Sequence, residues 1–212
     1  MVKFVIIRHG HSTGNKDRIF CGQLDVPLDE TGFKQAEETG KWVFENYKID
    51  EVWSSDLVRV TETVRPLANR LSLPINTDKR LREVDVGEWQ GIPVDDVKSA
   101  HSDEVEFYGK YPGKFFFPGG EGYADMIVRV AEFFEELAKV SEGKTIAVGT
   151  HGGCIRTLIA HVNGLPIDRV GEVPFVPNAS VTELVYDNGK WEFGLMSYAD
   201  HLEVKSGKFL VV

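Results

Sequence analysis

Phe4-Val5-Ile6-Ile7 is short, apolar and rich in β-branched residues, and it stops abruptly at Arg8-His9-Gly10-His11-Ser12. Such a run reads as a buried strand that ends in a charged, glycine-containing loop. A strand buried on both faces belongs inside a layered α/β sheet, and such sheets bind ligands at the carboxyl ends of their strands. At that place an arginine forks onto a phosphate or carboxylate, and a histidine serves as nucleophile or base. Gly10 lets the backbone turn tightly and aim N–H groups at an anion.

The same pattern returns later in the chain. Thr145-Ile146-Ala147-Val148-Gly149-Thr150 reads as a second buried strand, ending at His151-Gly152-Gly153 and a helix through His161. Ile49 to Ser55 reads as a third, with Arg59 one helical turn beyond it. Between these strands lie helical periods. Glu30 to Tyr47 has Ala36, Thr39, Val43 and Phe44 as its inner face, and Glu121 to Val140 has Met126, Val130, Phe133, Phe134 and Leu137. Asp56 is placed to cap a helix through Leu71, which Pro66 should kink or shorten. Pro74 to Thr77 fits a short edge strand. Val181 to Tyr186 and Trp191 to Met196, joined by Asp187-Asn188-Gly189, fit a hairpin. Alternating strands and helices imply a three-layer α/β/α sandwich with a mostly parallel sheet. Residues 88–120, rich in Gly, Pro and aromatics, read as a small helical or loop cap insertion over the site. The 212 residues are expected to form a single domain, 1–212.

Composition excludes several partners. A net charge of −9 argues against nucleic acid and against anionic membrane surfaces. Phe4 to Ile7 is too short for a signal-peptide core, and no other stretch is apolar enough to span a bilayer. The two cysteines, Cys21 and Cys154, make no disulfide framework, so a cytoplasmic setting is expected. A small molecule is the expected partner, with a homodimer compatible.

In a parallel sheet the three strand ends share one edge, so two arginines and two histidines can converge on one anion. A phosphoryl group suits them, because its oxygens need fixed donors and its charge needs cations. The competing reading is a metal site from His9, His11, Cys21, His151 and Cys154. Against it, Arg8 and Arg59 in the same pocket repel a divalent cation, and no CxxC or HExxH spacing is present. No metal and no cofactor are expected.

The chain resembles the histidine phosphatase superfamily, also called phosphoglycerate mutase-like, over nearly its whole length. The resemblance lies in six motifs in order. They are Arg8-His9-Gly10-His11-Ser12 with Asn15, Gly22…Asp25-Val26-Pro27-Leu28…Gly32…Gln35-Ala36, and Ser54-Ser55-Asp56-Leu57…Arg59…Thr63. Then come Leu81-Arg82-Glu83…Gly87-Glu88-Trp89-Gln90-Gly91, Pro118-Gly119-Gly120-Glu121, and His151-Gly152-Gly153…Ile155-Arg156. The resemblance implies that His9 is the nucleophile, becoming a phosphohistidine that water hydrolyses. It implies that Arg8, Arg59 and His151, the last most useful as a cation, hold the phosphoryl oxygens. Asn15 fits either a further donor or a turn after Gly14, and Ser12 stands beside it. Glu83 is implied as the acid that protonates the leaving alkoxide, for which it must carry a proton; as a loop carboxylate it also fits a surface ion pair. One branch carries its acid directly after the second histidine, where this chain has Gly152. Glu121, after two glycines and before a helix, fits a capping role.

Within that resemblance a phosphomonoesterase acting on a small phosphomonoester is expected. A cofactor-dependent phosphoglycerate mutase, or an α-ribazole phosphatase as the specific activity, is the alternative. Mutases carry basic residues soon after the acid, whereas here Asp85, Glu88, Asp95 and Asp96 follow, which should make an acidic rim. Phe20-Cys21-Gly22 is similar to a substrate-contacting stretch of mutases, and equally of α-ribazole phosphatases. Trp89, Phe107, Tyr108, Tyr111 and Phe115 to Phe117 are candidates for an aromatic leaving-group pocket.

Overall fold

The computed structural model describes residues 1–204; positions 205–212 of the expected domain lie outside the described residues. In chain order its elements are β1 (Val2–Arg8), α1 (Thr13–Lys16), α2 (Glu30–Asn46), β2 (Glu51–Ser54), α3 (Val58–Leu71) and β3 (Ile75–Thr77). They continue with α4 (Val94–Ala100), α5 (Ser102–Lys110), α6 (Tyr123–Val140), β4 (Thr145–Thr150), α7 (Gly152–Val162), β5 (Val181–Asp187) and β6 (Lys190–Phe193).

β1 shows why the fold has three layers. Val2, Phe4 and Ile6 enter one core with Met126, Phe133 and Phe134 of α6 and Ile155 and Leu158 of α7. Val5 and Ile7 point the other way, to Val43 of α2 and Val64 and Leu67 of α3. Side chains of a strand alternate faces, so helices on both sides of β1 leave only Lys3 of it partly open to water. The sheet order is β3-β2-β4-β1-β5-β6, parallel from β3 to β1 and antiparallel from β1 to β6. The hairpin turn at Asn188-Gly189 has both φ angles positive, 48° and 81°, as a tight two-residue hairpin requires. The second hairpin strand ends at Phe193, short of the expected Met196. Among the described residues no helix is long and apolar enough to cross a membrane.

Several local expectations change. Phe44 is 46% exposed. The buried stripe of α2 is Gly32, Gln35, Ala36, Thr39, Gly40 and Val43, one step aside from Phe44. That stripe is small and polar because α2 must lie close to α3 and bind backbone. A Cβ on Gly40 would stand 2.9 Å from the Leu67 nitrogen, and the Thr39 hydroxyl donates to the Ala179 carbonyl at 2.9 Å. Asp29 caps α2 by accepting the Gly32 N–H, an interaction worth about 1 kcal/mol. Asp56 caps nothing. It forks with Arg82 at 2.7 and 2.6 Å, while the first N–H of α3, on Val58, is taken by Asp25 at 2.7 Å. Pro66 does not end α3, which runs on to a left-handed Ser72; burial of Val64, Leu67 and Ala68 outweighs the one bond a proline cannot donate. Glu121 is likewise no cap. The N-cap of α6 is Gly122, whose N–H goes to Asp125, and Glu121 pairs with Arg129.

Candidate active site

The registers bring three strand ends together. Arg8 pairs with Thr150, and Ser54 with Gly149, so His9, His151 and Ser55 leave the sheet side by side. His9 is bracketed through its backbone: its N–H donates to the Thr150 carbonyl, and its own carbonyl takes N–H donors from Ala179 and the Asn178 amide. Nδ1 of His9 lies 2.7 Å from the Gly10 carbonyl. A carbonyl only accepts, so the network assigns the proton to Nδ1 and leaves the Nε2 lone pair available. Burial, then the guanidiniums of Arg59 and Arg8, push His9 well below imidazole's usual 6.5. The ring is therefore neutral at physiological pH, the form a nucleophile needs.

Two arginines flank it. Arg8 is buried, donates from NH1 to the Val176 carbonyl and lies over the Phe175 ring. Its Nε finds no partner among the described residues, an N–H whose desolvation is uncompensated unless an anion takes it. Burial first, then Arg59, draws Arg8 down to about 10, still protonated at neutral pH. Arg59 enters from the first turn of α3. It donates to the Leu24 and Gly22 carbonyls, both at 2.8 Å, and to His151 Nδ1 at 3.2 Å. That bond makes Nδ1 of His151 an acceptor, so its proton sits on Nε2, which meets the Ser55 hydroxyl at 3.1 Å. The expectation of a cationic His151 is corrected here. Burial foremost, and Arg59 next, hold it neutral. Its ring stands 5.2 Å from that of His9.

Ser12 and Asn15 form a reciprocal cap on α1. The Asn15 side-chain oxygen accepts from the Ser12 backbone and hydroxyl and from Asn178, which leaves the amide NH2 as the half able to donate. Glu83 stands opposite, at the N-terminus of α7. Its carboxyl accepts the N–H of Gly153 and of Val84, both at 3.0 Å. It is not a surface ion-pair carboxylate. A Cβ at 153 would lie 2.2 Å from Glu83 Oε1, so a larger residue there would push the Glu83 carboxyl aside; at Gly152 one would lie 3.1 Å from Arg8 Nε. The Glu83 loop is tied down from behind by the Arg129 guanidinium, which donates to the carbonyls of Arg80, Arg82 and Glu83.

These groups open onto a cavity of about 360 Å³. Arg8, His9, Ser12, Asn15, Cys21, Gly22, Arg59, Glu83 and Gly152 all line it, whereas His151, hydrogen-bonded to Arg59, is not among the lining residues. Cys21 is a wall thiol that burial pushes up. Cys154 is core, pushed up to about 12 by burial. Among the described residues no three His, Cys, Asp or Glu side chains group as metal ligands: His11 is turned to Asp29 and Cys154 to the Arg82 carbonyl.

Two expectations fail. Of the aromatics in 88–120 only Tyr108 lines the cavity. Trp89, Phe115 and Phe117 pack on one another as core, and Phe107, Tyr111 and Phe116 face solvent. The expected acidic rim is not found: Asp85, Glu88, Asp95 and Asp96 do not line the cavity, and among the described residues Glu83 is its one acidic group. Arg156 lines it instead, with Phe20, Tyr123 and Phe175. Arg129 and Asn178 went unread in the sequence. The available signals were a lone cation beside the apolar stripe of α6, and an Asn just before a strand.

A family model described as the histidine phosphatase superfamily (branch 1) matches residues 4–198. Phosphoglycerate mutase-like protein 4 of Arabidopsis thaliana is 30% identical over 204 residues, 95% of this chain and 87% of its own. Phosphoserine phosphatase 1 of Hydrogenobacter thermophilus is 30% identical over 169 residues, 80% of each. The solved structure of a mycobacterial glucosyl-3-phosphoglycerate phosphatase with VO3 matches with a TM-score of 0.85 at 27% identity, over 93% of this chain and 99% of that one. With its strand-end histidine held neutral between two guanidiniums, this chain belongs to the histidine phosphatase superfamily and is an enzyme of that family.

Proposed function

We propose that the enzyme is a metal-independent phosphomonoesterase that hydrolyses a small organic phosphate through a phosphohistidine on His9. The observation that carries the reading is the state of His9: neutral, fixed by Gly10, with Nε2 free beside Arg8 and Arg59. Nε2 attacks phosphorus while the ester P–O bond breaks, and Glu83 gives its proton to the departing oxygen. Water then attacks phosphorus, Glu83 takes the water's proton, and the P–N bond breaks to release phosphate. Arg8 and Arg59, with the Asn15 amide, donate to the phosphoryl oxygens. Such donors act chiefly on charge developing in the transition state, each worth about 100- to 1000-fold in rate. His151 holds Arg59. A phosphoryl dianion alongside would oppose the push on His151 and favour its imidazolium. The two guanidiniums supply the positive charge that a divalent ion would otherwise bring and repel such an ion from the site.

A second reading is a phosphoglycerate mutase. Arg156 in the cavity wall and the distance of the acidic residues from it favour this more than the sequence did. Phosphate release from simple phosphomonoesters, with and without chelator, separates the two. Release unaffected by chelator is expected. Strong inhibition by chelator would contradict metal independence. Faster interconversion of 3- and 2-phosphoglycerate than phosphate release, with catalytic 2,3-bisphosphoglycerate, would establish the mutase.

A further inference from the structure

The segment that enters β5 closes the back of the nucleophile. Ile7 pairs with Val181, and the Arg8 N–H donates to the Ser180 carbonyl, so residues 178 and 179 come alongside His9 and Gly10. There the chain turns tightly. The Ser180 N–H donates to the Pro177 carbonyl at 3.2 Å, and Ala179 stands in the left-handed region with φ 56°. An alanine resists that conformation and keeps it only where its surroundings fix it. Both of its backbone groups are bound here. The N–H donates to the His9 carbonyl at 3.1 Å, and the carbonyl accepts the Thr39 hydroxyl at 2.9 Å.

The turn presents the buried Asn178 side chain to three acceptors. Its Nδ2 donates to the carbonyls of His9 and Gly10 at 3.1 and 3.2 Å and to Asn15 Oδ1 at 3.3 Å. All three are oxygens that only accept, so the amide nitrogen of Asn178, not its oxygen, faces them. The Gly10 carbonyl is also the acceptor for His9 Nδ1, at 2.7 Å. The partner of one ring nitrogen decides which nitrogen carries the proton. Were that carbonyl to turn away, the proton would be free to move to Nε2, and the lone pair that attacks phosphorus would be lost. Attack from Nε2 forms the N–P bond as the ester P–O pair leaves with the oxygen. The ring then carries a positive charge with its proton still on Nδ1. The Gly10 carbonyl faces that charge until water breaks the N–P bond and the pair returns to Nε2. The contact with Asn15 serves the phosphoryl group instead: with Oδ1 engaged, the Asn15 NH2 is the half left to donate.

We infer that Asn178 is a positioning residue for the reaction, which sets the Nδ1–H tautomer of His9 through the Gly10 carbonyl and orients the Asn15 amide. The inference rests on the phosphatase reading above.

The test reads the tautomer directly. Long-range nitrogen–proton NMR correlation spectra are recorded on isotopically labelled enzyme, without substrate and above neutral pH. The His9 signals are those missing in His9→Asn. In the unmodified enzyme Nδ1 should carry the proton. In Asn178→Ala the proton should move wholly or in part to Nε2. Asn178→Asp, which keeps the shape without the NH2 donors, should do the same. In both variants kcat should fall by about 100-fold, as misplacements of about 1 Å do. The loss should be equal on glycerol 3-phosphate and p-nitrophenyl phosphate, because the leaving group is untouched. A proton on His9 Nε2 in the unmodified enzyme, an unmoved proton in the variants, kcat close to that of the unmodified enzyme, or a loss confined to the alkyl ester overturns this inference alone. Loss of the fold in both variants would make Asn178 a structural residue and overturns it as well. No phosphate from either ester with the unmodified enzyme overturns the phosphatase reading, whereas the tautomer, read without substrate, is decided separately.

Discussion

Glu83 lines the same cavity as His9, and mutation can isolate its chemical use. If Glu83 protonates the departing oxygen, Glu83→Gln should slow alkyl phosphates by about 100- to 10,000-fold. It should slow p-nitrophenyl phosphate far less, because a nitrophenolate leaves without help. Equal losses on both substrates would mean that Glu83 acts through structure. At this scale much of the site was legible. Arg8, His9, Arg59, Glu83 and Asn15 all reach one cavity, because strand ends and tight loops write themselves as apolar runs followed by charge and glycine. The state of each group was not legible. Neutral His151 depends on its burial and on Arg59, 92 positions away in the chain, and Arg156 depends on carbonyls of a later loop.

At the scale of elements, the meeting of the α7 N-terminus with the Glu83 loop decides the geometry. Gly153 donates to the Glu83 carboxyl, and a Cβ there would meet that carboxyl at 2.2 Å. Gly153→Ala should displace the Glu83 carboxyl and lower kcat on alkyl phosphates by about 100-fold, as misplacements near 1 Å do. Its p-nitrophenyl phosphate activity should suffer less; an unaltered ratio between the two substrates would argue that the Gly153 bond does not position the acid. Strands and the long helix α6 were legible because their periods are strong: the β4 run from Thr145 to Thr150 and the Met126 to Leu137 stripe fall where read. Ends and inner faces were less so. Asp56 has the chemistry of a cap, yet Arg82 claims it; Phe44 has the chemistry of a core residue, yet close packing of α2 on α3 selects its small neighbours. Both outcomes turn on partners that arrive only with the tertiary fold.

For the whole molecule, two neutral buried histidines make stability depend on pH. His9 and His151 both lie well below 6.5 in the folded chain, while in the unfolded chain they protonate near that value. Above pH 6.5 both states carry neutral imidazoles and stability is flat in these groups. Below it the unfolded state binds more protons, and stability should fall by about 1.4 kcal/mol per pH unit for each histidine until the folded values are reached. Urea midpoints between pH 7.5 and 5 should show this decline, and His9→Asn should remove roughly half of the slope. A slope unchanged in His9→Asn would mean that His9 is not held neutral by the fold. The layered architecture itself was legible from alternating strands and helices. The path of 88–120 was not, since aromatic content cannot distinguish a ring that lines a cavity, such as Tyr108, from one that packs as core, such as Trp89.

The most direct test is to trap the covalent intermediate. The enzyme is mixed with a labelled phosphomonoester, quenched in base and digested, and the modified peptide is sequenced by mass spectrometry. Acid-labile, base-stable label should lie on His9, and His9→Ala should carry none while keeping its folded circular dichroism spectrum. Label on Ser12 or Cys21, or turnover that persists in His9→Ala, would contradict the assignment of His9 as nucleophile.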